Sequence, residues 1–145
     1  MSQSRLLMIV AVLAVAGMAV SSVSLYHHYQ KSKTTFCDFG QSFNCDVVNR
    51  SEYSSIAGIP VAGIGIAGYL ALFLLATVYR DRRESAVVLF LGALSGLAFA
   101  LYLTYIEGFV LGAWCILCLS SLTIISVTAI LSGVVFRASR RETSA

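Results

Sequence analysis

Long uncharged apolar runs alternate with short polar breaks along this chain. The segments at about 6–26, 59–79, 85–106 and 110–136 contain no charged residue, and each is at least 21 residues long. A helix needs ~20 apolar residues to cross a ~30 Å hydrocarbon core, so each run is long enough to span a bilayer. The pattern predicts an all-α fold, an integral membrane four-helix bundle in one domain over residues 1–145. The first run is longer than the ~7–15 apolar residues of a signal peptide, which favours a retained span. Pro60 suits the first turn of the second run, where its missing N–H is no loss. Gly63, Gly65 and Gly68 there, and Gly92 and Gly96 in the third run, predict faces on which a neighbouring helix packs closely. The fourth run is long enough to tilt.

The breaks differ in length and in charge. Residues 27–58 form the long polar loop between the first two helices, with a short amphipathic helix expected around 47–56. The 80–84 turn and the Glu107-Gly108 turn are brief. Four crossings place Arg5, Arg80, Arg82, Arg83, Arg137, Arg140 and Arg141 on one side, against Lys31, Lys33 and Arg50 on the other. Cytoplasmic flanks accumulate Lys and Arg, so both termini are expected in the cytoplasm and the long loop outside it. Composition agrees: 58% of the 145 residues are hydrophobic and 12% charged, with mean hydropathy +0.84. The net charge of +3 lies in these flanking clusters and forms no extended basic surface, which excludes a nucleic-acid partner. His27 and His28, beside Tyr26 and Tyr29, read as headgroup-level residues. Asn49-Arg50-Ser51 fits a glycosylation sequon, a pattern of low specificity.

The chemistry lies in four cysteines. Cys37 and Cys45 are in the loop; Cys115 and Cys118 form a Cys-x-x-Cys at the start of the fourth run. By topology all four converge on the extracytoplasmic face, where disulfides persist. Residues three apart on a helix share a face, so Cys115 and Cys118 can close on each other. In the first turn of that helix Cys115 would be favoured as thiolate. A loop pair beside a buried pair has the layout of a thiol–disulfide relay, which requires sulfur–sulfur contact. No dinucleotide loop, haem signature or histidine cluster is present, which leaves a lipid-soluble quinone as the simplest electron acceptor. Two other readings fit the same residues: structural disulfides, and a zinc site built from the four thiolates.

Cys37-Asp38, Cys45, Ser51, Gly58-Ile59-Pro60 and Trp114-Cys115-Ile116-Leu117-Cys118 together resemble the vitamin K epoxide reductase (VKOR) family, in its bacterial branch, over residues 5–136. The resemblance implies four helices around a quinone of the menaquinone, ubiquinone or vitamin K type. It implies Cys115 and Cys118 as the active-site pair, with Cys118 next to the quinone, and Cys37 and Cys45 as the shuttle pair. Electrons would enter at Cys37 from a thioredoxin-like (DsbA-like) protein, pass from Cys45 to Cys115, and leave from Cys118, supporting disulfide formation outside the cytoplasm. Ser51, Trp114 and Leu122 are the implied quinone or substrate contacts, and no metal is implied. Vertebrate epoxide reductases carry a tyrosine where Leu122 stands, so quinone reduction is expected over epoxide reduction. Residues 137–145 leave no room for a fused thioredoxin-like domain, so a separate partner is expected. The order of the two cysteine pairs is the reverse of that in DsbB-type oxidases, which argues against that family.

Overall fold

The computed structural model describes residues 2–31, 37 and 40–145. The expected Asp38 lies outside the described residues. Four longer helices carry the fold: α1 (Gln3–Tyr29), α3 (Val61–Thr77), α4 (Arg83–Tyr105) and α5 (Ile116–Ser144); a five-residue helix, α2 (Cys45–Asn49), lies in the loop. α1, α4 with its extension and α5 are long and apolar enough to cross a membrane. α3, with 17 residues, is ~25 Å long and ends short of that length. α1 packs against α3 and α5, and α4 packs against the same two helices.

Apolar side chains are distributed all around these helices, as lipid-facing helices require, so small and tightly packed residues define the inner faces. Leu6, Leu7, Val10, Ala11 and Ala14 of α1 meet Tyr69, Leu72 and Ala76 of α3. Ala86, Leu89 and Ala93 of α4 with Ile125, Ala129 and Val135 of α5 complete this core. The glycine faces only partly do what their spacing predicts. A Cβ on Gly65 would come within 2.9 Å of Ser21 Oγ of α1, but Gly63 and Gly68 face open space. Gly65, Gly68, Gly92 and Gly96 all border a cavity, so the missing side chains leave room between helices as well as close contact.

In the loop, the helix is earlier and shorter than expected. Asn44 Oδ1 caps α2 by accepting from the Asp46 and Val47 N–H groups at 3.1 and 3.2 Å. A 3₁₀ turn (Glu52–Ser54) follows, then a two-stranded hairpin of β1 (Ser55–Ile56) and β2 (Ile59–Pro60). Its turn residues, Ala57 and Gly58, both have positive φ, the conformation two-residue hairpins favour. The sequence places Pro60 in the first helical turn; it caps α3 from the strand.

The largest departure lies between α4 and α5. A short exposed turn at Glu107-Gly108 is expected, with the next helix starting near 110. Instead α4 continues through a π-helical turn (Ile106–Leu111) that ends on Gly112 in the left-handed conformation, with its N–H bonded to the Glu107 carbonyl. A left-handed glycine is a common helix terminator. The chain then doubles back in extended form, and α5 begins at Ile116. Glu107 is carried inward, 1% exposed.

Candidate active site

The reversal after Gly112 brings residues 113–115 under the loop. Ala113 N–H donates to the Glu107 carbonyl at 3.1 Å, and Trp114 forms a parallel bridge with Phe43. In that bridge Trp114 N–H donates to Ser42 O at 2.8 Å, and Asn44 N–H donates to Trp114 O at 3.1 Å. The Trp114 ring covers Gly108, where an added Cβ would come within 2.9 Å of it. Trp114 thus joins the loop to the start of α5 and is not among the cavity-lining residues.

This clasp sets the sulfur geometry. Cys37 and Cys45 are joined as a disulfide, with Cα atoms 5.5 Å apart. Cys115 and Cys118 are free thiols, Cys115 wholly buried and Cys118 partly so. Cys115 Sγ lies 3.3 Å from Cys45 Sγ. The helix starts one residue after Cys115, so Cys115 is the N-cap of α5 and not a residue of its first turn. An N-cap side chain faces the free N–H groups of the first turn. Cys115 precedes the span, and its thiol titrates below the usual range. The Cys118 thiol donating to it is the main cause, and burial opposes this. The backbone N–H groups of Cys118 and Leu117 also favour the thiolate, and the Glu107 charge disfavours it. A depressed thiol beside a disulfide sulfur is placed for exchange.

Two residues that the sequence does not assign to the redox site surround Cys115. Glu107 Oε2 accepts the Cys115 backbone N–H at 3.1 Å. Asn49, 7% exposed, points its side-chain amide at Cys115 Sγ at 4.0 Å, and its Oδ1 accepts from Ser24 Oγ at 3.3 Å. Burial removes Asn49 from the glycosylation reading. His27 is buried as well, and His28 Nδ1 bonds the Asn49 carbonyl, so His28 ties the loop to α1. Asn49 carries no sequence signal beyond its sequon; Glu107 carries a weak one, as an acidic residue flanked by apolar runs.

Cys118 faces a cavity of about 510 Å³ between the helices, walled mainly by apolar residues such as Leu72, Phe99 and Leu103. This is in the ~300–1,000 Å³ range of small-molecule pockets, with the usual apolar wall and few polar groups. Ser51 borders it, and its hydroxyl donates to Val48 O at 2.8 Å. α5 contributes Leu117, Cys118, Ser121 and Ile125; Leu122 is not among the lining residues. The Tyr69 hydroxyl, also in the wall, is 2.8 Å from Ser121 Oγ.

The model of the vitamin K epoxide reductase family matches residues 8–133, most of the chain, and the chain belongs to that family.

Proposed function

We propose that this member of the vitamin K epoxide reductase family, a membrane oxidoreductase, passes electrons from a separate thioredoxin-like protein through Cys37/Cys45 and Cys115/Cys118 to a quinone. The observation that carries the reading is the 3.3 Å approach of Cys115 Sγ to a Cys45 already bonded to Cys37, at the edge of the cavity Cys118 lines. In the proposed cycle the partner's dithiol reduces the Cys37–Cys45 disulfide. Cys45 thiolate then attacks Cys115 Sγ of a Cys115–Cys118 disulfide, forming the Cys45–Cys115 bond and releasing Cys118. Cys37 attacks Cys45 Sγ and releases Cys115. The result is an outer disulfide and an inner dithiol, the arrangement described above.

The cavity fits a quinone ring. Its wall is apolar, four glycines widen it, and Cys118 and Ser51 lie on its surface. A bound quinone supplies a two-electron, two-proton acceptor. Cys118 presents the sulfur that gives up electrons, the apolar wall excludes water, and the Trp114 clasp holds Cys115 against Cys45. The charge placement supports both termini in the cytoplasm and all four cysteines at the outer face of the plasma membrane, so that the cycle sustains disulfide formation outside the cytoplasm.

The test is quinone reduction by purified protein in detergent, with reduced thioredoxin-like protein as donor and menaquinone or ubiquinone as acceptor. Donor-dependent turnover that Cys118→Ala abolishes supports the relay. No turnover with either quinone, with one equivalent of zinc bound, would leave a structural metal site instead.

A further inference from the structure

We propose that Glu107 is the acid–base partner of Cys118: its free carboxyl oxygen gives a proton to Cys118 when the inner disulfide opens and takes it back when that disulfide re-forms. The inference rests on the relay reading above. Three observations carry it. Glu107 is buried, 1% exposed, and lines the cavity that Cys118 lines. Its two oxygens differ: Oε2 is held by the Cys115 N–H at 3.1 Å, and Oε1 has no hydrogen-bond partner among the described residues. Through its bond to the N-cap Cys115, the carboxyl sits at the start of the helix whose first turn carries Cys118.

A buried carboxylate oxygen without a partner is unfavourable unless the group exchanges its charge for a proton. A thiolate leaving into an apolar cavity has the same difficulty. One proton moved to Cys118 leaves the charge on Glu107, the one of the two groups that keeps a hydrogen-bond donor, the Cys115 N–H at Oε2. The other ionisable groups on the wall are less well placed. His28 is bonded to the Asn49 carbonyl, Tyr69 to Ser121, and Tyr53 is an exposed rim residue. Glu107 also reaches the active site through the backbone of the second cysteine's partner, so one side chain both fixes Cys115 and serves Cys118.

The step balances without a further reagent. Cys45 thiolate attacks Cys115 Sγ, and the Cys45–Cys115 bond forms. The Cys115–Cys118 bond breaks with its electron pair on Cys118 Sγ, and the Glu107 Oε1 proton moves to that sulfur. Reoxidation returns the proton from the Cys118 thiol to Glu107, while the electron pair leaves for the acceptor that the proposed function names; its two protons come from solvent, which receives the two that Cys45 and Cys37 release as they become thiolates.

Infrared difference spectroscopy tests this on the full chain in detergent, without quinone, stepping between dithiothreitol-reduced and diamide-oxidised protein. A carboxylic-acid carbonyl band should appear in the oxidised state only and shift on carbon-13 glutamate labelling. It should be lost in Glu107→Gln. In Glu107→Asp a band should return that no longer responds to glutamate labelling. Reduction of the inner disulfide by dithiothreitol should slow by about 10²-fold in Glu107→Gln, the lower end of general acid catalysis. Formation of the Cys37–Cys45 disulfide, read by mass spectrometry, checks that each variant folds, and Glu107→Asp serves if Glu107→Gln does not. A wild-type spectrum with no redox-linked carboxyl band, or a band unchanged in Glu107→Gln, would overturn the assignment even if quinone turnover is intact. A redox-linked band in a protein with no donor-dependent turnover would overturn the relay and leave the Glu107–Cys118 exchange standing.

Discussion

The two cysteine pairs reverse what their spacing suggests. Cys37 and Cys45, eight apart in an irregular loop, are bonded; Cys115 and Cys118, three apart at a helix start, are open. The difference lies in backbone direction. Cys115 is the N-cap of α5 in extended conformation, so its sulfur faces Cys45 at 3.3 Å while Cys118 lies in the first turn beside the cavity. One sulfur of the inner pair therefore meets the loop and the other meets the interior, and the N-cap is the joint between them. Proximity in sequence says which cysteines can pair; the N-cap decides which sulfur attacks which.

Breaking that joint should have the largest effect. Cys118→Ala should reduce donor-dependent quinone reduction to background. In a Cys37→Ala/Cys118→Ala double variant, where no resolving thiol remains, oxidation with diamide should trap a Cys45–Cys115 disulfide, found by mass spectrometry under non-reducing conditions. A product joining Cys45 to any other residue, or no product, would rule out the proposed contact. The same substitution should shift the pH profile of Cys115. Its thiol is held below the ordinary range chiefly by the Cys118 hydrogen bond, so Cys115 of reduced wild type stays alkylatable as pH falls through that range. Without the donor the thiolate should be lost at higher pH, and alkylation of Cys115 in Cys118→Ala should be slower at pH 7 than in wild type.

The cavity side can be broken separately. Gly68 faces open space and borders the cavity, so Gly68→Leu should fold while filling part of the volume. The expected result is a raised KM for quinone, about tenfold if the lost contacts are worth ~1.4 kcal/mol. Thiol–disulfide exchange between the two pairs should be unchanged, as read by quenched alkylation. Equal loss of both would mean that the cavity and the cysteine joint are not separable. Asn49→Ala acts on the joint more weakly. Removing the amide that points at Cys115 Sγ should slow exchange by about fivefold, equivalent to ~1 kcal/mol for a long hydrogen bond, with little change in quinone KM.

Much of this comparison was legible in the residues. Charge-free runs marked the helices because a bilayer penalises every charge in its core, and the four cysteines stood out because nothing else in the chain is redox-active. The start of α5 was not legible. The run from 110 to 136 is uniformly apolar, and the only break signal in its first turns is Gly112, whose left-handed conformation depends on its contact with the Glu107 carbonyl. Glu107 was hidden for the same reason. An acidic residue next to glycine between two spans reads as a solvated turn, and only the reversal after Gly112 turns it inward. The cavity was half-legible: the glycines are visible in the sequence, but small-residue stripes signal close packing and open space alike, and Gly65 shows both.

The smallest expected effect concerns Leu122, where the family resemblance and the geometry point in different directions. The resemblance makes this the position of a substrate-contacting tyrosine. On α5, however, the cavity is lined at Leu117, Cys118, Ser121 and Ile125, a helical face at whose edge Leu122 lies without lining it. Its neighbour Ser121 is the residue whose hydroxyl reaches the wall, 2.8 Å from Tyr69. Leu122→Tyr should therefore change quinone kcat/KM by about twofold or less, the range of a substitution away from the site. Ser121→Ala should change it more, because Tyr69 loses a hydroxyl partner inside the wall. A large gain or loss in Leu122→Tyr, with Ser121→Ala neutral, would mean that α5 is rotated by about one residue when quinone is bound, and that the face seen here is not the one the substrate meets.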